Sequence, residues 1–160
     1  MQLQKRLGSH FKVLLLEMPN WRNAKYQEWK IWFEKAVGAS GNAIIVVGHS
    51  LGAIFLAKYL TENKHLPKIR GIFLVSTPYK THTENPDFGD FALKGPPRRL
   101  RHFGNKVHFY HSDDDSIVEI KSLDSYRESA PDAFARVFKN RGHFDQDRFP
   151  ELAQDIKSIK

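Results

Sequence analysis

One serine in this sequence of 160 residues stands in a pattern that can activate a hydroxyl group. The segment Gly48-His49-Ser50-Leu51-Gly52 matches G-x-S-x-G and directly follows a run of aliphatic residues. Where such a segment joins a strand to a helix, the turn is sharp and the serine hydroxyl projects above the sheet edge. The first N–H groups of the helix then face developing negative charge. We therefore predict Ser50 as a nucleophile, with Leu51 and His49 as oxyanion or substrate-binding residues.

A serine alcohol needs a base to take its proton, and that base needs an acid that orients it. Two later apolar runs are each followed by suitable side chains. Asp113-Asp114-Asp115 comes shortly after residues 107–111, and His143 comes after residues 133–138. If both runs are parallel strands, these loops lie at the sheet edge where α/β proteins bind ligands. The chain order Ser, Asp, His is that of the α/β-hydrolase arrangement.

Other interpretations of these residues stay open. Three adjacent aspartates are also common in solvated loops that cap a helix, and with His143 they could bind a metal. His108 and His111 are competing bases, but they lie on one predicted strand, three residues apart, and so face opposite sides of the sheet. An activated serine accounts for more residues than a metal site does. We predict no metal and no organic cofactor.

The elements that must position these residues follow from hydrophobic spacing. Strands are predicted at residues 11–18, 43–48, 69–76, 107–111 and 133–138, because each run is short and rich in Val, Ile or Phe. Helical patterns separate the runs. One follows Asn23, a candidate N-cap, and places Trp29 and Trp32 in the core; the others cover residues 51–60 and 149–159. This alternation predicts an α/β fold, a three-layer sandwich with a mainly parallel sheet.

One long stretch interrupts the alternation of predicted strands and helices. Residues 77–105 contain several prolines and glycines with scattered aromatic residues, and a loop of that length is usually a lid or a binding segment. Its basic residues are predicted to form a solvated face or the substrate entrance, since no nucleic-acid-binding module accompanies them. These basic residues are Lys94, Arg98, Arg99, Arg101 and, just after the stretch, Lys106.

Composition narrows the class of protein. With 41% hydrophobic and 12% aromatic residues the chain can fill a core, which excludes a disordered protein. The sequence contains no cysteine, which excludes disulfides and thiolate sites. Its apolar runs are too short to span a bilayer, and the first ten residues carry no secretory signal. We predict a cytoplasmic protein with a net charge of +7 that binds a small-molecule substrate and no nucleic acid.

Taken together, these segments resemble the small serine-hydrolase family of the α/β-hydrolase superfamily, which includes many bacterial esterases. The similarity extends from about residue 2 to residue 160. It depends on five segments: Glu17-Met18-Pro19-Asn20, Val47-Gly48-His49-Ser50-Leu51-Gly52-Ala53, Val75-Ser76, His111-Ser112-Asp113-Asp114-Asp115-Ser116-Ile117-Val118, and Gly142-His143-Phe144.

The resemblance implies an esterase-like enzyme that cleaves small carboxylic esters through an acyl-serine intermediate. It assigns Ser50 as nucleophile, His143 as base and Asp115 as acid, because the family's acid stands three residues before a Val or Leu, here Val118. Asp114 is the second choice for the acid, since Ser116 replaces the usual proline.

The resemblance also implies a missing part. Members of the family begin with a strand and a glycine-rich loop, and here Met1 falls in or just before the helix that follows them. We therefore expect residues 1–160 to be a single, N-terminally truncated α/β-hydrolase domain. The absent strand would lie between the strands at 11–18 and 43–47, and its loop would supply a second oxyanion donor. Without that donor, the alternative is a catalytically weak or inactive interaction module.

Overall fold

The computed structural model describes residues 2–40, 43–81, 86–146 and 148–159. Within these ranges a sheet of four parallel strands runs in the order β1-β2-β3-β4. The strands are β1 (Ile44–His49), β2 (Ile69–Val75), β3 (Val107–Ser112) and β4 (Phe134–Phe138). Because neighbouring strands are parallel, their carboxyl ends lie along one edge. The loops that follow β1, β3 and β4 carry Ser50, Asp115 and His143.

Helices cover both faces of this sheet and make the fold a three-layer α/β sandwich, as predicted. The α-helices in the described ranges are α1 (Gln2–Leu7), α2 (Tyr26–Gly38), α3 (Leu51–Glu62), α4 (Lys121–Ser129) and α5 (Pro150–Ser158). Short 3-10 helices lie at Trp21–Asn23, Pro86–Phe91 and Arg98–Lys106. None of the helices in these ranges is both long and apolar enough to cross a membrane.

The core consists of two clusters, one on each face of the sheet. On one face, α2, α3 and α4 bury side chains that include Trp29, Phe55 and Tyr126. On the other face, α1 and α5 pack against β2 and β3 through Leu7, Ile156 and their neighbours. Helix α3 is buried along residues 53–60, as expected for a helix that is apolar on most sides.

The strand predicted at residues 11–18 does not form. Val13 packs on the cluster of α1 and α5, whereas Leu16 packs on the opposite cluster, so the segment passes from one face of the sheet to the other. In the described part of the chain β1 pairs only with β2, and residues 11–18 do not pair with its other edge, so they have no partner strand. The Gln4 side chain instead bonds to the Phe11 carbonyl and the Val13 N–H, each at 2.8 Å.

The start of α2 also differs from the prediction. Asn23 ends a 3-10 helix instead of capping α2, which begins at Tyr26. The Tyr26 N–H donates to Asp90 Oδ2 at 3.0 Å, so a carboxylate from a distant segment satisfies this helix terminus. Trp29 is buried as predicted, but Trp32 is 45% exposed. Spacing placed both tryptophans on one side of the helix, and only Trp29 meets Phe55 and Phe91.

The long stretch at residues 77–105 is partly core. Phe91, Leu93 and Leu100 are buried against α3 and its surroundings. Arg99 donates to the carbonyls of Thr61 and Asn63, which terminate α3, at 3.3 and 2.8 Å. This arginine therefore caps a helix C-terminus, where its positive charge is favourable.

Candidate active site

The turn between β1 and α3 has the geometry of a nucleophile elbow. Ser50 has φ 52° and ψ −117°, a conformation that is strained for a residue with a side chain. Gly48 makes the close approach of strand and helix possible, because a Cβ atom there would lie 2.5 Å from the Gly52 carbonyl oxygen. A Cβ atom on Gly52 would meet nothing within 4 Å. Of the two glycines, only Gly48 is required by packing.

The N-terminus of α3 provides a donor beside Ser50. The Ser50 carbonyl accepts the N–H groups of Ala53 and Ile54, whereas the Leu51 N–H has no backbone acceptor among the described residues. Leu51 and Ser50 both line the same cleft. A free N–H at a helix N-terminus next to a serine is suited to bind a developing oxyanion.

Asp115 is a buried carboxylate, and both of its oxygens accept hydrogen bonds. Its side chain has no exposed surface, and Oδ1 accepts the N–H groups of Ile117 and Val118 at 2.9 Å each. His143 Nδ1 lies 3.1 Å from Oδ1 and 3.0 Å from Oδ2. The contact with Nδ1 is made by Asp115 and not by Asp114.

The environment of Asp115 keeps it ionised. Burial opposes its charge, but the hydrogen bonds from the Val118 N–H, His143 and the Ile117 N–H, together with the nearby Ser76 hydroxyl, outweigh burial and lower its pKa to about 2. The Ser76 hydroxyl is buried and makes no hydrogen bond of good geometry within the described residues. It acts on Asp115 as a close polar group at the end of β2.

Asp114 holds the loop that carries His143. Its Oδ1 accepts the N–H groups of Arg141 and Gly142 at 3.1 and 3.0 Å and the hydroxyl of Ser112 at 2.5 Å. The carboxylate therefore fixes the backbone immediately before His143. By accepting the N–H groups of Arg141 and Gly142, Asp114 positions the His143 loop without contacting the imidazole.

His143 faces the nucleophile turn. Its imidazole lies 4.7 Å from the ring of His49, which neighbours Ser50 in the chain. Nδ1 is directed to Asp115, and no described residue forms a hydrogen bond with Nε2. The hydrogen bond between Ser50 Oγ and Nε2 is thus not formed, and such bonds are often long before substrate binds.

A cleft of about 760 Å³ opens beside Ser50. Its walls come from the loop after β2, the acid loop and the start of α4, and they are mixed in character. The polar part consists of Ser50, Lys80, Glu119, Lys121, Ser122 and Ser125. The apolar walls are Leu51, Pro78, Tyr79, Phe88, Ile117 and Val118. The segment predicted as a binding segment, residues 77–105, therefore contributes part of this cleft.

The remaining candidates lie outside the cleft. His111 is buried and its Nε2 donates to the Val118 carbonyl at 2.8 Å, so it braces the acid loop. His108 stacks on Phe73 with ring centroids 4.5 Å apart. Across the described ranges, no three His, Cys, Asp or Glu side chains are grouped to hold a metal ion.

Sequence reasoning missed the bracing residues. From the sequence, His111 was considered as a competing base, and Ser76 and Ser112 only as parts of the segments that carry the family resemblance. Their positions at the carboxyl ends of strands were the signal that could have revealed a bracing role. Asp114 was considered as an alternative acid, whereas its contacts are with the backbone of the His143 loop.

Comparison with known proteins shows the family to which the chain belongs. The family model described as serine hydrolase matches residues 1–154, and the chain belongs to that family. No curated protein matches the sequence. The chain is similar in structure to the ydeN gene product from B. subtilis, with a TM-score of 0.76, 20% sequence identity, and coverage of 90% of this chain and 80% of that one.

Two further solved structures share the fold. The meta-cleavage product hydrolase from Pseudomonas fluorescens has a TM-score of 0.63 and 14% identity, and the match covers 90% of this chain and 76% of the hydrolase chain. The esterase domain of a Rhodothermus marinus protein has a TM-score of 0.56 and 13% identity, with coverage of 85% and 66%. At these identities the similarity establishes an α/β-hydrolase fold, and the family match establishes a serine hydrolase.

Proposed function

We propose that this serine hydrolase cleaves small carboxylic esters through an acyl-serine intermediate, with Ser50 as nucleophile, His143 as base and Asp115 as acid. The observation that carries the proposal is the buried Asp115–His143 pair, 3.0 Å apart, next to a strained serine turn. A charged carboxylate on Nδ1 fixes the imidazole tautomer and leaves Nε2 to accept a proton.

In the acylation step, His143 Nε2 takes the Ser50 proton while Oγ forms a bond to the ester carbonyl carbon. Negative charge develops on the carbonyl oxygen, where the Leu51 N–H is available as donor. The tetrahedral intermediate collapses as the bond to the alkoxide oxygen breaks. The imidazolium gives its proton to that oxygen, and the alcohol leaves. Asp115, ionised because of its lowered pKa, stabilises the imidazolium.

Deacylation repeats the proton transfers with water. His143 takes a proton from a water molecule, the resulting oxygen attacks the acyl carbon, and the bond to Ser50 Oγ breaks as the proton returns to Oγ. The products are the free acid and the original enzyme, and no cofactor is consumed.

The choice of esters over amides follows from the donors in the site. The described residues supply one evident oxyanion donor, Leu51, and loss of one donor from a hydrolase costs about 100- to 1,000-fold in rate. An ester carbonyl is more electrophilic than an amide carbonyl and has a better leaving group, so it tolerates a weaker oxyanion site. The cleft, with apolar walls from Pro78, Phe88 and Ile117, suits a small apolar acyl group.

A fluorophosphonate probe tests this proposal, because it labels only an activated serine. We expect labelling at Ser50 and hydrolysis of p-nitrophenyl butyrate, with Ser50→Ala abolishing the label and lowering kcat at least ~1,000-fold. Ser158→Ala, an exposed serine on α5, is the matched control and should behave as the parent. A folded parent protein that neither takes the label nor changes on Ser50→Ala would instead be a hydrolase-like interaction module.

A panel of matched substrates tests the ester assignment separately. The butyryl ester, thioester and anilide carry the same acyl group and differ only in the leaving atom. We expect kcat/KM to be highest for the ester. A preference for the anilide would contradict the assignment while leaving the serine mechanism intact.

A further inference from the structure

We propose that His49 is a positioning residue, whose side chain locks the His143 loop onto the turn that carries Ser50. The inference rests on the proposed function, because it gives His49 a role only if His143 serves as the base. His49 occupies the first of the two variable positions of the G-x-S-x-G segment, and the sharp turn does not require a histidine there.

The key contact joins the His49 side chain to the backbone of His143. His49 Nε2 lies 2.6 Å from the His143 carbonyl oxygen. A carbonyl oxygen can only accept, so Nε2 carries a hydrogen atom and donates it. The two imidazole rings also pack together, with centroids 4.7 Å apart and planes inclined by 47°. One residue next to the nucleophile thus contacts both the main chain and the ring of the proposed base.

The His143 loop needs such support because its backbone is strained. Asn140, Gly142 and Phe144 all have positive φ, at 57°, 51° and 60°. Two of these residues carry side chains and pay a conformational cost in the left-handed region. On the side before His143, Asp114 holds the loop through two N–H groups. His49 holds the carbonyl on the other side, so the base is fixed from both directions.

The charge state of His49 suits this role. His49 is an exposed residue, and the partial burial of its ring is the main cause that lowers its pKa; the positive charge of His143 acts in the same direction. The hydrogen bond to the His143 carbonyl and the carboxylates of Asp145 and Asp115 act in the opposite direction and only partly compensate. A neutral His49 keeps its Nε2 donor without placing a second positive charge beside the imidazolium that forms during catalysis.

Three substitutions of His49 in the full chain separate the donor from the ring. His49→Gln keeps an N–H donor, His49→Phe keeps a ring, and His49→Leu keeps neither. We expect kcat of His49→Gln to stay within about 3-fold of the parent. We expect His49→Phe and His49→Leu to lose about 10- to 100-fold in kcat with little change in KM, because a small misplacement of a base has effects of this size. His65→Leu, an exposed histidine after α3, is the matched control.

The readouts are kcat and KM for p-nitrophenyl butyrate, the rate of fluorophosphonate labelling, and the melting temperature. The inference is supported if kcat and the labelling rate fall in His49→Phe and His49→Leu, stay near the parent values in His49→Gln, and all three variants have similar melting temperatures. Equal activity in all three variants, or an equal loss of kcat in His49→Gln and His49→Leu, overturns the inference. Failure of the parent to take the label at Ser50 would be a failure of the proposed function, which keeps the two results distinct.

Discussion

Asp115 shows how single contacts set the chemistry of the proposed site. Asp113, Asp114 and Asp115 are identical in type and adjacent in sequence, yet only Asp115 is buried and contacts Nδ1 of His143. Asp113 is exposed. The difference arises because the turn at the end of β3 directs one of the three carboxylates inward, towards the N–H groups of Ile117 and Val118.

Replacing Asp115 by Asn should lower kcat about 1,000- to 10,000-fold, because an amide no longer fixes the imidazole tautomer or stabilises its cation. Asp113→Asn is the matched control and should retain the parent activity. The measurement is kcat for p-nitrophenyl butyrate across pH 5 to 9. An Asp115→Asn variant within a few-fold of the parent would remove Asp115 from the proposed mechanism.

Asp115 should also contribute to stability in a defined pH window. Its folded-state pKa is lowered to about 2 from the ordinary value of 3.8. The ionised group therefore stabilises the fold above about pH 4, and this contribution is lost as the pH falls from about 4 to about 2. Melting temperatures of the parent and Asp115→Asn should converge across that window, and a constant difference would contradict the shift.

At the scale of elements, the turn between β1 and α3 depends on one glycine more than the other. Gly48→Ala should destabilise the protein by about 1–3 kcal/mol, because the new Cβ would overlap the backbone of Gly52 and Ala53. Gly52→Ala should be neutral or stabilising by up to about 1 kcal/mol, since the position is open and helical. Urea unfolding midpoints of the two variants give the comparison, and equal effects would contradict this packing argument.

Most elements were predictable because the spacing of their hydrophobic residues along the chain indicates a strand or a helix. The strands near 44–49, 69–75, 107–112 and 134–138 formed within two residues of their predicted ends. Helix α5 buries Leu152 and Ile156 at the predicted spacing. Residues 11–18 have an equally strong strand pattern and form no strand, because a strand also requires a pairing partner, which the pattern does not report.

At the scale of the whole molecule, α2 depends on a contact between residues 64 positions apart in sequence, Tyr26 and Asp90. Asp90→Ala should destabilise the protein by about 1 kcal/mol, the usual cost of losing a helix N-terminal cap. Asp90→Asn keeps an acceptor oxygen and should cost less than half as much. Thermal or urea unfolding measures both. An Ala variant as stable as the parent would show that α2 is held by its apolar face alone.

The same long-range packing decides how the site is assembled. More than fifty residues separate β1 from β3 in the sequence, and the parallel register brings the carboxyl ends of β1, β3 and β4 to one edge of the sheet. His111 then donates to the Val118 carbonyl, and His49 to the His143 carbonyl. These bonds lie between loops whose proximity exists only once the sheet has formed.

The sequence by itself determined the class of fold, the position of the serine turn, and the three residue types proposed for catalysis, because each depends on local spacing or on chain order. The family resemblance favoured Asp115 over Asp114, and the tertiary structure brings Asp115 to His143. Tertiary structure alone decided which tryptophan is buried, what caps α2, and what Leu51 and His49 face. These outcomes depend on distances between segments far apart in the chain. Such distances are fixed by packing and register, which no local pattern encodes.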